Sequence, residues 1–568
     1  MSLGKTPDTE DLFRSARALC EPKLQATSLY RLLAEQGSRL FADESFADLF
    51  QQVGRDSVPP RVVATVMVLQ RIEGASDREA VDRLSFDLRW KYAAGVDLDF
   101  PSFAHTVLVN MRARLRRSDR PNRIFEVVLE VAKEAGLVGR KRVLDSTALF
   151  DAVATQDTVT MIRAAIRAVL KTASKALGDE IRAQLLRDDD YAQAGKPSCD
   201  WQDAAEREAL VDALARDGHA VIKLLEGRAL DTKLHEAVQL LTTVLGQDIV
   251  LDEGANDDDD DTGSAGSVVV KSTVGDAAKG AGGDCLSIYR IAERVAPNRV
   301  VSTVDTDARH GRKTSSHKFT GYKGHIAIDP DSEIITATAV TPANVGDAGP
   351  AEELLRDILP PTASGNEQSS QASTQPAVQP AAEPAEVYGD ASYGSADLVE
   401  RLEAAGIEAN TKVQPPAARE GMFSQDAFCI DLEADTVRCP AGTLVSIRRN
   451  KDEQGRAHFG QACKDCPLKT QCTKSKRGRT ILVHPKHGTL DRARKRQRDP
   501  QWKRRYTATR PKVERKFAHL MRPLSAISAA DLGPRDSSRV IADEEHGGSI
   551  CPPPNDRVCT GQGVLRAA

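Results

Sequence analysis

The spacing of apolar residues predicts a helical region over residues 10–140. Residues 27–35, 58–71 and 102–117 each carry apolar side chains at helical spacing. Proline at the start of the second segment is tolerated in a first helical turn, and Ser76 followed by acidic residues is typical of a helix N-terminus. Short helices with basic turns suit a helix-turn-helix-like contact with DNA, although a plain helical bundle has the same spacing.

The pattern changes to strands after residue 140. The short apolar run at residues 141–150 predicts a buried strand that contains Asp145. A carboxylate inside such a strand is costly unless it is paired, and a bound cation is the usual partner. Further strands are predicted within residues 300–341 and 386–390, and helices at residues 158–186, 207–245, 348–359 and 395–405. Strands that alternate with helices favour an α/β core.

Composition breaks divide the chain into regions. The predicted regions are a helical N-terminal domain, 1–140; an α/β core, 141–420, interrupted by a helical insertion, 158–250, and by linkers, 252–283 and 362–385; a basic cysteine-containing insertion, 421–500; a helix that completes the core, 501–522; and a disordered tail, 523–568.

The net charge of −4 conceals a strong segregation of charge. Residues 464–516 contain 19 Lys or Arg against 4 Asp or Glu, which suggests a polyanionic partner, although a solvated charged face is the alternative. We find no apolar run of 18 residues and no signal-peptide pattern, so a cytoplasmic protein is expected.

Four cysteines form a second pattern. Cys439 precedes Cys463, Cys466 and Cys472, and the middle pair has C-x₂-C spacing. Four thiolates at such spacing predict a structural Zn²⁺ site, with Cys429 as a substitute ligand. Reduced thiols without a metal are the alternative.

Three acids distant in sequence suggest a catalytic centre. Asp145 lies in a predicted strand, Asp390 ends another, and Glu514 lies on a helix whose apolar face is Val513, Phe517 and Leu520. Two divalent cations held by a few carboxylates can drive phosphoryl transfer, and Mg²⁺ prefers such oxygen ligands.

The motifs around these acids resemble those of the DDE transposases of bacterial insertion sequences. They are Leu-Asp-Ser-Thr at 144–147, Asp-Ala-Arg-His-Gly-Arg-Lys at 307–313, Gly-Tyr-Lys-Gly-His at 321–325, Thr-Pro-Ala-Asn-Val-Gly-Asp at 341–347, Tyr-Gly-Asp-Ala-Ser-Tyr at 388–393 and Arg-Pro-Lys-Val-Glu-Arg-Lys-Phe at 510–517. The resemblance covers roughly residues 46–522 and includes the N-terminal helical region.

The resemblance implies a fold and a set of site residues. The fold is an RNase H-like mixed sheet, and Asp145, Asp390 and Glu514 become the ligands of two Mg²⁺ ions. Tyr506 and Arg510 match the family's Tyr–Arg–Glu–Lys signature, although they are four residues apart rather than three and Met521 and Arg522 stand at the place of the Lys. The residues expected to contact DNA are Tyr506, Arg510, Arg309, Arg312, Lys313, Lys318, Tyr322 and Lys323.

The family resemblance also implies an activity and partners. The activity is cleavage of double-stranded DNA at the terminal inverted repeats and strand transfer into a target, by a homodimer or larger assembly in the bacterial cytoplasm and nucleoid. A metal-dependent nuclease of the same fold and an inactive DNA-binding remnant are the alternatives. Because the resemblance stops at Arg522, we also expect a frameshift or a decayed element that would weaken activity.

Overall fold

A computed structural model of the protein describes residues 1–5, 15–150, 155–189, 191–252, 288–296, 298–313, 317–360, 384–417 and 421–521. The chain forms two compact units, one of residues 1–151 and 322–568 and the other of residues 152–321. The predicted linkers and the tail fall almost entirely outside the described residues. Within the part that is described, no helix is both long and apolar enough to cross a membrane.

The N-terminal region is helical, as predicted. Its elements are α1 (Ala16–Cys20), α2 (Leu29–Leu40), α3 (Pro60–Glu73), α4 (Asp77–Phe86), α5 (Leu88–Ala94), α6 (Thr106–Arg117) and α7 (Arg123–Glu134), followed by strand β1 (Lys141–Phe150). Helix α3 is buried along most of its length, because its apolar residues surround the helix rather than forming one stripe. Ser76 and Glu79 form a capping box that begins α4.

The second unit is built mostly of helices. Its elements are α8 (Thr158–Thr172), α9 (Lys175–Arg182), α10 (Ala204–Leu225), α11 (Thr232–Asp248), β2 (Ile249–Asp252), β3 (Ile288–Ile291) and β4 (Arg309–Arg312). The helices share an apolar core of their own. The prediction of one helix over 158–186 is wrong, because Ser174 takes an extended conformation and caps α9 by accepting a hydrogen bond from the backbone N–H of Leu177.

The remaining elements complete the first unit. They are β5 (Lys318–Ile328), β6 (Ile335–Pro342), α12 (Ala351–Leu354), β7 (Glu386–Gly389), α13 (Ala396–Ala404), β8 (Glu408–Thr411), β9 (Cys429–Asp431), β10 (Thr436–Arg438), β11 (Leu444–Ser446), β12 (Arg448–Arg449), β13 (Gly455–His458), α14 (Lys469–Cys472), β14 (Thr480–Val483), α15 (His487–Arg496), α16 (Pro500–Thr509) and α17 (Pro511–Met521). The helix predicted over 348–359 is a single turn, α12, since residues 355–359 continue as turns before Pro360.

The central sheet has the order β6-β5-β1-β7-β8, and β4 pairs with the first residues of β5. Strands β5 and β6 are antiparallel, whereas β1, β7 and β8 run parallel to one another. This arrangement confirms the predicted RNase H-like mixed sheet. Residues 421–483 form two small three-stranded sheets around a separate core, between the last parallel strand and the final helices.

Both faces of β1 are covered. Leu144 packs into an apolar cluster on one face of the sheet, and Val143 packs on the other face with Val513 and Phe517 of α17. This confirms the predicted apolar face of α17 and explains why side chains of β1 are buried on both faces.

A buried arginine fixes the start of β1. The Arg142 guanidinium is 2 % exposed; its Nη2 donates a hydrogen bond to Asp357 Oδ2 at 2.5 Å and its Nη1 donates to the carbonyl oxygen of Gly139 at 2.8 Å. Asp329, which is 1 % exposed, lies 3.7 Å from the same guanidinium. One cation therefore compensates two carboxylates at the base of the central strand.

We expect Arg142→Met to lower the free energy of unfolding by about 3–5 kcal/mol, because it leaves Asp329 and Asp357 without their cation in a buried site. Urea denaturation of the full chain measures this change. Arg140→Met is the matched control, since Arg140 is exposed two residues earlier. Equal stability of the two variants would contradict the role given to Arg142.

Candidate active site

The pairing of β1 with β7 places two of the predicted acids side by side. The parallel register pairs Val143 with Tyr388, and Asp145 and Asp390 each lie two residues beyond this pair. After β7 the chain turns sharply, and Asp390 Oδ1 accepts a hydrogen bond from the backbone N–H of Ser392 at 2.9 Å. Asp145, in the middle of β1, and Asp390, directly after β7, are therefore carboxylates on neighbouring parallel strands.

Arg510 connects Asp145 to the third acid. Its guanidinium is 7 % exposed, and Nη2 donates to Asp145 Oδ1 at 2.8 Å. On the other side, Nη1 lies 3.3 Å from Glu514 Oε1, one helical turn further along the chain. Within the described residues, Nε and Nη1 of Arg510 are buried without a hydrogen-bond acceptor in good geometry. Asp145 is buried, whereas the Glu514 side chain is 62 % exposed.

Burial and the neighbouring charges shift the pKa of the Asp145 carboxyl. Burial raises the pKa of the Asp145 carboxyl to about 6, and the negative charge of Asp390 raises it as well. The charge of Arg510 and the backbone N–H of Ser146 act in the opposite direction. A second positive charge near Asp145 and Asp390 would lower the cost of keeping both acids ionised.

Tyr506 faces the same centre. The backbone N–H of Arg510 donates to the carbonyl oxygen of Tyr506 at 2.9 Å, so the spacing of four residues is one helical turn. The Tyr506 hydroxyl donates to the carbonyl oxygen of Gly389 at 3.2 Å, next to Asp390, and its ring stacks on Trp502 with centroids 4.8 Å apart. Burial raises the pKa of Tyr506, and the charges of Asp390, Glu514 and Asp145 act in the same direction.

A buried polar network behind the acids was not predicted as part of the site. His325, which is fully buried on β5, lies 2.9 Å through Nε2 from Thr341 Oγ1 and 3.3 Å through Nδ1 from the Tyr393 hydroxyl. Burial lowers the pKa of His325 to about 4, so the ring is neutral near pH 7. Because Tyr393 closes the turn that begins at Asp390, its backbone N–H donating to the carbonyl oxygen of Asp390 at 3.2 Å, the network links β5 and β6 to that turn.

Lys323 and Asp347 form an ion pair near the same centre. Lys323 Nζ donates to Asp347 Oδ1 at 2.7 Å and to the carbonyl oxygen of Val345 at 2.8 Å. Burial disfavours the Asp347 carboxylate, but hydrogen bonds from Lys323 and Ser146 outweigh this and lower its pKa. The GYKGH motif was the signal for these residues, since a strand places Lys323 and His325 on one face of β5.

Two of the predicted DNA contacts are not available in this arrangement. Tyr322 is 2 % exposed, so its ring cannot stack on a base, and Lys323 is held by Asp347. Neither side chain is therefore exposed for a contact with DNA. The sequence does not show that β5 has neighbouring strands on both edges, and an interior strand of the sheet exposes less of its side chains.

The other cations that were predicted to contact DNA lie on β4, at the start of β5 or between these two strands, and most of them are exposed. Arg312, Lys313 and Lys318 are exposed, and Arg309 is half-buried and donates to Asn298 Oδ1 at 2.8 Å. In the loop before β4, Asp305 Oδ1 accepts a hydrogen bond from the backbone N–H of Ala308 at 3.3 Å.

Several arginines of the basic segment, residues 464–516, are paired with acids and are therefore less available to DNA than the sequence suggests. Glu403 pairs with Arg492 and Arg496 at 3.1 and 2.9 Å, and Asp426 pairs with Arg494 and Arg498 at 3.5 and 2.8 Å. Acids from elsewhere in the chain therefore neutralise part of the charge in residues 464–516.

The four predicted zinc ligands converge on one site. Cys439, Cys463, Cys466 and Cys472 line a cavity of about 20 Å³, whereas Cys429 is exposed and is not among its lining residues. Over the described ranges, no set of three or more His, Cys, Asp or Glu side chains has the geometry to hold a metal ion as it stands. The thiols suit Zn²⁺ and the carboxylates suit Mg²⁺ by their donor chemistry.

Two family models match this chain. The first, described as a transposase domain (DUF772), matches residues 20–114, and the second, described as a transposase DDE domain, matches residues 438–535. The second match extends beyond Arg522, where the sequence resemblance was expected to stop, so that expectation is wrong. Comparison with curated proteins and comparison with solved structures yield no match. Both matched models describe transposase domains, and they support the interpretation of the chain as a DDE transposase of an insertion element.

Proposed function

We propose that this transposase cleaves DNA at the ends of its element and joins the freed ends to target DNA, in a metal-dependent reaction. The observation that carries the proposal is the buried Arg510, which contacts Asp145 and lies next to Glu514 while Asp390 occupies the matching position on the neighbouring strand. Arg510 thus links Asp145 to Glu514, and the register places Asp390 beside Asp145, which supports the proposal of a three-acid site.

The acids have the chemistry of a divalent-cation site. Asp145 and Asp390 would hold the cations, and Glu514, which is exposed one helical turn from Arg510, would complete the ligand set. When bound, two Mg²⁺ ions activate the attacking oxygen and stabilise the leaving oxygen in phosphoryl transfer. The raised pKa of Asp145 supports this assignment, because carboxyl groups whose pKa is shifted by burial and by a neighbouring charge are common at functional sites.

Arg510 would contact a DNA phosphate. A guanidinium presents parallel N–H groups that match two phosphate oxygens, and Nε and Nη1 of Arg510 have no acceptor in good geometry among the described residues. A phosphate at this place would supply those acceptors and would lie next to Asp145. Tyr506, which stands one turn earlier on the helix, would border the same phosphate.

The reaction would have two steps that use the same acids. Water attacks the phosphodiester at the element's terminus and releases a 3′-hydroxyl; that hydroxyl then attacks a target phosphodiester and displaces its 3′ oxygen. The partner is double-stranded DNA, gripped by the N-terminal helices and by exposed cations such as Arg312, Lys313 and Lys318, so binding weakens as salt rises. A dimer or larger assembly in the cytoplasm and nucleoid would hold two element ends.

The cysteine cavity would bind a structural Zn²⁺. Four thiols meet around a small cavity: Cys439 follows β10, Cys463 and Cys466 precede α14, and Cys472 ends α14. Arg479 donates its backbone N–H to Cys463 Sγ at 3.5 Å. A tetrahedral set of four thiolates would close on the ion and tie together the two small sheets of residues 421–483.

We expect Asp145→Asn to reduce cleavage by roughly a hundredfold or more, since even the outer residues of metal sites contribute about 10–100-fold. Binding to terminal-repeat DNA should persist, because the phosphate-contacting cations remain. Cleavage and strand-transfer products on labelled DNA with Mg²⁺ measure the effect. Asp331→Asn, a surface acid in the β5–β6 loop, is the control. Unchanged cleavage in Asp145→Asn rejects the acid triad, and cleavage without strand transfer in the unmodified protein indicates a nuclease.

We expect Arg510→Lys to reduce cleavage by roughly tenfold or more, because lysine keeps the charge but loses the planar pair of donors, and one charge-assisted hydrogen bond is worth about 1.5–3 kcal/mol. Single-turnover cleavage measures this change. Arg505→Lys is the matched control, since Arg505 is half-exposed on the preceding helix and pairs with Glu408 at 2.8 Å. Equal cleavage by both variants would contradict a phosphate contact by Arg510.

We expect the purified protein to contain about one zinc ion per chain, by native mass spectrometry, because four thiolates complete one tetrahedral site. Cys466→Ser should lose the ion and lower the thermal midpoint, whereas Cys429→Ser should keep it. A protein prepared with zinc that carries none would remove this proposal.

A further inference from the structure

One of the two small sheets that follow β8 has a solvated face with cations and no acid. Its strands β12, β13 and β14 are antiparallel, and the register places Arg448 opposite Arg456 and Arg456 opposite Leu482. The inner face is apolar, with Ala457 and Ile481 buried in the core of this part of the chain. Because side chains alternate along a strand, the outer face is made of exposed residues, Arg448, Arg456, His458, Thr480 and Leu482.

Two arginines face each other across the first two strands of this sheet. Arg448 and Arg456 are directly opposite, and both are exposed. The Cβ atoms of such a cross-strand pair lie about 4.5–5.5 Å apart, and like charges at this place are destabilising. Neither side chain has an ion-pair or hydrogen-bond partner among the described residues. An anion bound beside this arginine pair would therefore relieve a repulsion that the free protein retains.

The loop that leads into β14 carries three more cations. Lys474, Lys476 and Arg477 are exposed, and within the described ranges their side chains have no ionic or hydrogen-bonded partner. Hydrogen bonds inside the loop fix its backbone: the N–H of Ser475 donates to Thr473 Oγ1 at 3.1 Å, and the N–H of Arg477 donates to Ser475 Oγ at 3.2 Å. The backbone that bears these cations is thus arranged before a partner binds, which reduces the entropy cost of binding.

A close approach of two glycines holds this loop against the end of β13. Gly478 has a φ of 89°, in the left-handed region that favours glycine. A Cβ at Gly478 would lie 2.7 Å from the carbonyl oxygen of Gly460, which follows β13 by two residues. Next to this contact, His458 Nδ1 lies 2.9 Å from Thr480 Oγ1. The three loop cations and the outer face of the sheet therefore form one surface, the basic face.

Acids lie near the basic face but do not neutralise it. Asp452 and Glu453, the acids nearest in sequence to the arginine pair, occupy the turn between β12 and β13, and neither forms an ion pair with a described residue. The charges of Arg492 and Arg496 are, by contrast, compensated by Glu403. The basic face is thus a part of the cysteine-containing region whose positive charge stays available to a partner.

We propose that the basic face binds the phosphate backbone of double-stranded DNA without reading its sequence. Five cations without an acid partner complement a polyanion, and a duplex carries about one charge per 1.7 Å of its axis, twice the density of one strand. Leu482, which is 58 % exposed between the cations, would lose contact with water on binding. The choice of DNA rests on the proposed function, in which DNA is the substrate. A single strand has the same phosphates, so the test separates the two.

The salt dependence of binding tests the cations. Anisotropy of a labelled duplex of arbitrary sequence, without Mg²⁺, measures the affinity of the full chain between 50 and 200 mM salt. Arg448→Gln combined with Arg456→Gln should reduce the slope of log affinity against log salt by about two, so that about tenfold less affinity is lost over this range. Lys474→Gln combined with Lys476→Gln should have a similar effect. Arg449→Gln is the matched control, because Arg449 is already paired with Asp435 at 2.6 Å. Equal slopes for the control and the two double variants would overturn the proposal.

An acid placed inside the basic face gives an independent test. Leu482→Glu introduces a negative charge opposite Arg456 and should weaken duplex binding by roughly tenfold or more, since like charges repel the phosphates. Leu482→Gln has nearly the same shape without the charge and should bind like the unmodified protein. Because residue 482 faces solvent, both variants should keep the thermal midpoint of the unmodified chain. Equal binding by the two variants would contradict a phosphate contact at this face.

Further outcomes decide the ligand and separate this surface from the catalytic centre. Tighter binding of single-stranded oligo-dT than of the duplex would overturn the duplex assignment. Asp145→Asn should show the salt slope of the unmodified protein. Intact cleavage together with unchanged slopes in the double variants would refute the basic face alone. Absent cleavage together with the expected change in slope would refute only the proposed catalytic centre.

Discussion

The site depends on one electrostatic constraint, the burial of a carboxylate in a strand that is covered on both faces. Asp145 follows Val143 and Leu144, which pack on opposite faces of the sheet. Such an acid requires a compensating charge, and Arg510 supplies it across 365 residues of sequence. This pairing ties the junction of α16 and α17 to the first core strand, so one contact both stabilises the fold and positions residues of the proposed site.

The parallel register of β1 and β7 adds the second constraint. Asp145 and Asp390 lie at the same height because each follows the paired residues Val143 and Tyr388 by two positions, and the neutral His325 with Tyr393 supports the turn that follows Asp390. At the start of β1, Arg142 compensates Asp329 and Asp357. Ion pairs thus hold the start and the centre of this strand, and Val143 and Leu144 pack between them.

Basic residues that look equivalent in the sequence differ in the folded chain in whether an acid pairs with them. Residues 464–516 form one basic run, yet Glu403 and Asp426 each pair with two of its arginines. Lys323, expected to contact DNA, is instead buried against Asp347. By contrast, Arg312, Lys313 and Lys318 are exposed and could contact a phosphate. Local charge density is therefore a poor guide to DNA contact unless the acids that fold against it are known.

The sequence by itself determined the element types and the mixed α/β core and led to the proposal of the three acids, because strand and helix periodicity and short motifs are local properties. The apolar stripe of Val513, Phe517 and Leu520 is an example, since helical spacing alone defines it. Only the tertiary structure decided that Arg510 bridges Asp145 and Glu514, that Tyr322 is buried, and that Ser174 divides a predicted long helix. These features depend on burial and on partners distant in the chain, and neither periodicity nor composition carries that information.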